Sequence, residues 1–79
     1  MSVFSNSDQV YPKRLGIYKD NYLVLEYYHL TEDKFKKRLI PFDANISAGK
    51  NVEIILRDPK HSPFLKKIEA QHLEKIIKG

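Results

Sequence analysis

The seven-residue run Tyr22-Leu23-Val24-Leu25-Glu26-Tyr27-Tyr28 constrains the fold of this chain more than any other segment. It is dense in aromatic, β-branched and other apolar residues, carries one charge at Glu26, and is bounded by polar residues on both sides, which predicts a β-strand. Side chains alternate across a strand, so Leu23, Leu25 and Tyr27 point one way and Tyr22, Val24 and Tyr28 the other. Apolar side chains on both faces predict burial on two sides. The cluster Lys19-Asp20-Asn21 reads as the turn that precedes this strand. After the polar link Leu30-Thr31-Glu32-Asp33, the run from Phe35 to Ile40 predicts a second strand, stopped by Pro41. The two strands are expected to pair as a hairpin.

Further along, Val52-Glu53-Ile54-Ile55-Leu56 fits a short buried strand as well as a helix. Ser47 is placed to cap a helix, and Val52, Ile55 and Leu56 would share one of its faces, so the reading leans to helix, ended by Asp58-Pro59. Ser62-Pro63 then has the form of a cap followed by proline at the first helical position. That pair predicts a last helix running to Lys78. On it, Phe64, Leu65, Ile68, Leu73 and Ile76 fall in one half, and Lys66, Lys67, Gln71, Glu74 and Lys78 in the other, the pattern of a helix docked on its own sheet. His72 is expected on the apolar side. Residues 1–12 mix polar with isolated apolar residues and read as a flexible N-terminal arm, leaving 13–79 as a single domain.

A chain of 79 residues has room for one core. Ordering costs about 1.5 kcal/mol per residue, which nearly cancels the gain from apolar burial at this size. There is no cysteine, and the histidines are only His29, His61 and His72, so neither a disulfide nor a clustered metal site is expected to staple the fold. No nucleophile–base pair, glycine-rich phosphate loop or His pair at helical spacing can be assembled, so no catalytic residue and no cofactor are expected. The N-terminal residues lack the basic and apolar regions of a secretory signal, and no apolar stretch approaches the roughly 20 residues of a membrane span. These features predict a cytoplasmic chain without a membrane partner. The net charge of +4 and pI near 9.4 attract acidic surfaces mildly.

Several spaced motifs resemble the N-terminal region of the family of the centrosomal protein of 19 kDa, found at centrioles and ciliary basal bodies. They are Leu15-Gly16-Ile17, Leu23-Val24-Leu25-Glu26-Tyr27 and the basic run Lys34 to Pro41. Leu56-Arg57-Asp58-Pro59-Lys60-His61, Phe64-Leu65 and Gln71-His72-Leu73-Glu74-Lys75 follow in the same order. The resemblance implies helix at Val52 to Leu56, and so a small α+β domain, a β-hairpin followed by two helices (ββαα). It implies a non-catalytic scaffold or adaptor at the centrosome, the associated cytoskeleton and the cilium base, supporting cilium assembly. The implied partners are a FOP-type centrosomal protein and, through a charged tail that the family carries beyond this helix, a Rab-like small GTPase.

The edges of a two-stranded hairpin leave backbone N–H and C=O groups unpaired, and a partner segment or a second copy of the chain could complete them. The residues expected to bind protein there are Tyr22, Val24, Tyr27, Tyr28 and Ile40, with Lys36, Lys37 and Arg38 meeting acidic side chains. A competing reading has the tyrosines covering the domain's own core. The alternative function is a small basic domain for RNA or single-stranded nucleic acid, using aromatic residues interleaved with Lys and Arg. Glu26, Glu32 and Asp33 weaken that field, and no glycine-aromatic RNA-binding signature is present.

Overall fold

The computed structural model describes residues 9–79. Three strands come first, β1 (Val10–Tyr18), β2 (Tyr22–His29) and β3 (Lys34–Pro41), followed by helices α1 (Ala48–Arg57), α2 (Ser62–Leu65) and α3 (Ala70–Lys78). The domain is α+β, a small antiparallel sheet followed by helices. The hairpin expected from the sequence is β2 and β3, paired from Tyr22↔Pro41 to His29↔Lys34. A strand not expected, β1, pairs along the other side of β2, which places β2 in the centre of the sheet.

β1 escapes notice in the sequence because Pro12, Gly16 and two consecutive cations interrupt its alternation. Proline has no N–H to give and survives only at an edge or a bulge. Pro12 has both, since β1 is an edge strand and its register slips between Pro12 and Arg14. Val10 to Pro12, expected in the arm, therefore lie in the sheet; the rest of that arm, residues 1–8, lies outside the described residues. Lys19 and Asp20 still form a turn, but it joins β1 to β2, and both adopt left-handed φ of 54° and 65°. Non-glycine residues adopt that conformation only when a tight reversal demands it.

The core is one-sided. Leu23, Leu25 and Tyr27 of β2 join Val10 of β1 and Ile40 of β3 on the inner face, and Val52, Ile55, Leu65 and Leu73 of the helices close over them. Leu23, Leu25, Ile40, Leu65 and Leu73 have no solvent-accessible surface. On the other face Tyr22, Val24 and Tyr28 are half-buried and no helix covers them, so the expected burial on both sides does not occur. The helices are too few to cover two faces, and all of them pack on one.

α1 begins as the sequence predicts. Ser47 Oγ accepts a hydrogen bond from the Lys50 N–H at 3.1 Å, and Val52, Ile55 and Leu56 face inward. Buried Asn51 ties the preceding loop to this helix: its Nδ2 donates to the Asp43 carbonyl at 2.7 Å and its Oδ1 accepts from the Asp43 N–H at 2.9 Å. The last helix departs from expectation. It breaks after Leu65, where the Ile68 N–H bonds to the Leu65 carbonyl, and restarts at Ala70. No glycine or proline causes this, so tertiary packing overrides a favourable local propensity. The break lets α3 pack closely on α1: a Cβ added at Gly49 would lie 2.8 Å from Glu74 Oε1. The cap of α2 also shifts, from Ser62 to His61.

The two faces predict opposite mutational costs. Leu25→Ala empties a fully buried site and should cost about 2–5 kcal/mol, most of the stability of so small a domain. Leu39→Ala, on the outer face and 49% exposed, should change it by less than about 0.5 kcal/mol. Urea denaturation followed by circular dichroism measures both.

Candidate functional site

The strand register sorts the eight residues expected to bind protein into two groups. Tyr22, Val24, Tyr28 and Lys37 stand on the outer face, while Tyr27, Ile40, Lys36 and Arg38 lie on the side of the helices. Tyr27 at 5% exposure and Ile40 at 0% belong to the core and present nothing to a partner, which corrects the expectation for both. The basic triplet is not one patch, because adjacent residues on a strand project to opposite faces.

Arg38 instead clamps the fold together. Its guanidinium lies 3.7 Å from the centroid of the Phe64 ring, a close cation–π contact, and Phe64 in turn packs against Tyr27 at 5.4 Å between ring centroids. One guanidinium nitrogen also lies 3.2 Å from the Lys60 carbonyl and 3.2 Å from His61 Nδ1. Arg38 thus joins β3 to the segment between α1 and α2. Lys36 is likewise engaged, by Glu32 at 2.6 Å. Their hydrogen bond lowers the pKa of Glu32 and raises that of Lys36. The expectation that Lys36 and Arg38 are free to meet acidic groups of a partner is therefore revised to intramolecular roles.

The outer face is a different surface. Cross-strand rows set Tyr18 beside Tyr22, Val24 beside Leu39, Glu26 between Arg14 and Lys37, and Tyr28 beside Phe35. Tyr18, Leu39 and Phe35 are 45%, 49% and 64% exposed. Tyr28 and Phe35 meet edge to face at 5.4 Å, and Tyr18 and Tyr22 are tilted at 6.3 Å. Lys13 and Lys19 extend over the Phe35 and Tyr18 rings, 5.8 and 5.3 Å from their centroids. The Tyr28 hydroxyl donates to Asp33 Oδ1, and this bond, with burial and the carboxylate charge, raises the Tyr28 pKa. Glu26 faces Arg14 at 3.8 Å. The result is two aromatic ends joined by an aliphatic strip, with a row of charges between.

Sequence reasoning missed Phe35, Leu39 and Tyr18 as members of this surface. The first two sit in a run dominated by four cations, and only the register with β2 shows that they share a face with Val24 and Tyr28. Among the described residues no three His, Cys, Asp or Glu side chains come together to hold a metal ion, and no helix is long and apolar enough to cross a membrane. The histidines are dispersed. His29 ends β2, while His72 is exposed, contrary to expectation, because the restarted α3 turns Leu73, Ile76 and Ile77 inward instead.

His61 is buried at 7% exposure, and burial lowers its pKa, with the Arg38 and Lys60 charges lowering it further and Asp58 opposing. A histidine that resists protonation only when folded makes the unfolded chain bind the extra proton, so stability is full above about pH 6.5 and declines as pH falls below it. Replacing it by His61→Asn should flatten the decline between about pH 6.5 and 5 in urea titrations.

Compared with known protein families, curated proteins and solved structures, the chain matches none.

Proposed function

We propose that this chain is a non-catalytic adaptor domain that docks a partner protein on the outer face of its sheet. The observation that carries the reading is the uncovered aromatic and aliphatic surface of Tyr18, Val24, Leu39 and Phe35, on a domain too small to spare apolar area without cost. Half-buried aromatic side chains backed by a rigid sheet supply contact area at little conformational cost, which is the composition of interface hot spots. The resemblance of its motifs to those of the family of the centrosomal protein of 19 kDa supports a partner of the FOP type and a place at the centriole and basal body. Lys37 and Arg14 stand beside Glu26 in the middle of the face and orient a partner more than they attract it.

One observation favours a second reading, binding of single-stranded nucleic acid: aromatic rings and cations share an open sheet face. Two features weigh against it. The exposed rings pack on each other or lie beneath Lys13 and Lys19, and Arg14 is set against Glu26, which lowers the field available to phosphates.

Affinity capture from ciliated cells tests the assignment, with the chain and its Phe35→Glu/Leu39→Glu variant as baits. Recovery of centriolar proteins, reduced about tenfold or more by the variant, is the expected result. Recovery of ribonucleoproteins, together with steeply salt-dependent binding of a single-stranded RNA oligonucleotide, would establish the second reading instead.

A further inference from the structure

On the opposite side of the sheet, the free edge of β1 runs beside α3 and leaves a groove of about 510 Å³ between them. Its exposed floor is apolar, from Leu15 and Ile68, and Lys67 and Lys75 stand on its α3 side with Glu69 the carboxylate that opposes them, while Lys13 and Arg14 form its β1 rim with their charged heads turned to the outer face beside Phe35 and Glu26. Lys67 closes one end: its Nζ donates to the Val10 carbonyl at 3.1 Å and sits 3.9 Å from the centroid of the Tyr11 ring. Lys13 and Lys75 have no ion-pair partner among the described residues. Among those residues, too, the backbone of Lys13 to Tyr18 makes hydrogen bonds to no segment except β2.

The geometry points to a second docking site, in which an extended acidic segment of a partner protein adds a fourth strand along β1. An unpaired edge supplies backbone donors and acceptors, and an added strand satisfies them. Alternate side chains of that strand would face the apolar floor and Lys75, and those between them would meet Lys13 and Arg14 on the outer side, so carboxylates find cations on both. Charge complementarity decides the occupant. A second copy of the chain is disfavoured, because its own edge strands bring Lys13 and Arg14, or the four cations of β3, against the cations that flank this edge. This site goes beyond the reading given for the outer face and stands whether or not that face binds.

Random linear peptides displayed on phage, selected on the intact chain, test the site. The expected result is enrichment of peptides in which Asp and Glu alternate with apolar residues. Their affinity, read by fluorescence anisotropy, should fall about tenfold or more in the Gln71→Glu/Lys75→Glu variant and stay unchanged in Phe35→Glu/Leu39→Glu. Gln71 and Lys75 are exposed, so the reversal should leave the melting temperature nearly unaltered, and circular dichroism checks this. The site is refuted if no peptide is enriched, if the enriched peptides carry no acidic excess, or if the α3 reversal leaves affinity intact. A single-stranded RNA oligonucleotide that binds the groove more tightly than every selected peptide also overturns it, in favour of a polyanion site.

Discussion

Everything in this domain depends on β2 being buried on one face only. Leu23, Leu25 and Tyr27 draw the helices onto the inner face, and the same alternation commits Val24 and Tyr28 to the other. With neither disulfide nor cysteine in the chain, inner-face packing is the main source of stability, and Arg38 reinforces it by fastening β3 to Phe64 and His61. The helices available suffice to close one side. The open outer face is therefore a consequence of the size of the domain.

The consequence is chemically specific. A face that only had to meet water would carry polar residues in place of Phe35 and Leu39, whereas here apolar side chains alternate with the structural cations of β3. The inward positions of that strand hold Lys36, Arg38 and Ile40, two of them tied to other parts of the fold through polar heads and the third sealed in the core. β3 thus inverts the usual arrangement over much of its length, with charge inside and apolar groups outside. Such an inversion is stable because the inward cations find Glu32, the Lys60 carbonyl and the Phe64 ring.

That inversion also explains what could be read from the sequence. The β2–β3 hairpin, the Ser47 cap and the inward residues of α1 were legible because local propensity and packing agree there. β1 was not, because Pro12 and Gly16 mask it, and only its edge position and bulge reconcile Pro12 with a sheet. The break after Leu65 was not, because no residue signals it and contact with α1 and β1 imposes it. For the site, Tyr22, Val24, Tyr28 and Lys37 were named and stand on the open face, although the apolar pattern of β2 had pointed to burial of that face as well. Lys36, Arg38, Tyr27 and Ile40 were misplaced, since charge and aromaticity do not report which way a strand residue points until the register is known.

The central claim, that the outer face of the sheet is where a partner protein docks, is tested most directly by mapping amide chemical shifts of the labelled chain while a purified FOP-type centrosomal protein is added. The account predicts changes concentrated at Val24, Tyr28, Phe35, Lys37 and Leu39 on β2 and β3. Changes confined to the exposed surfaces of α1 and α3, or none at saturating partner, would contradict it.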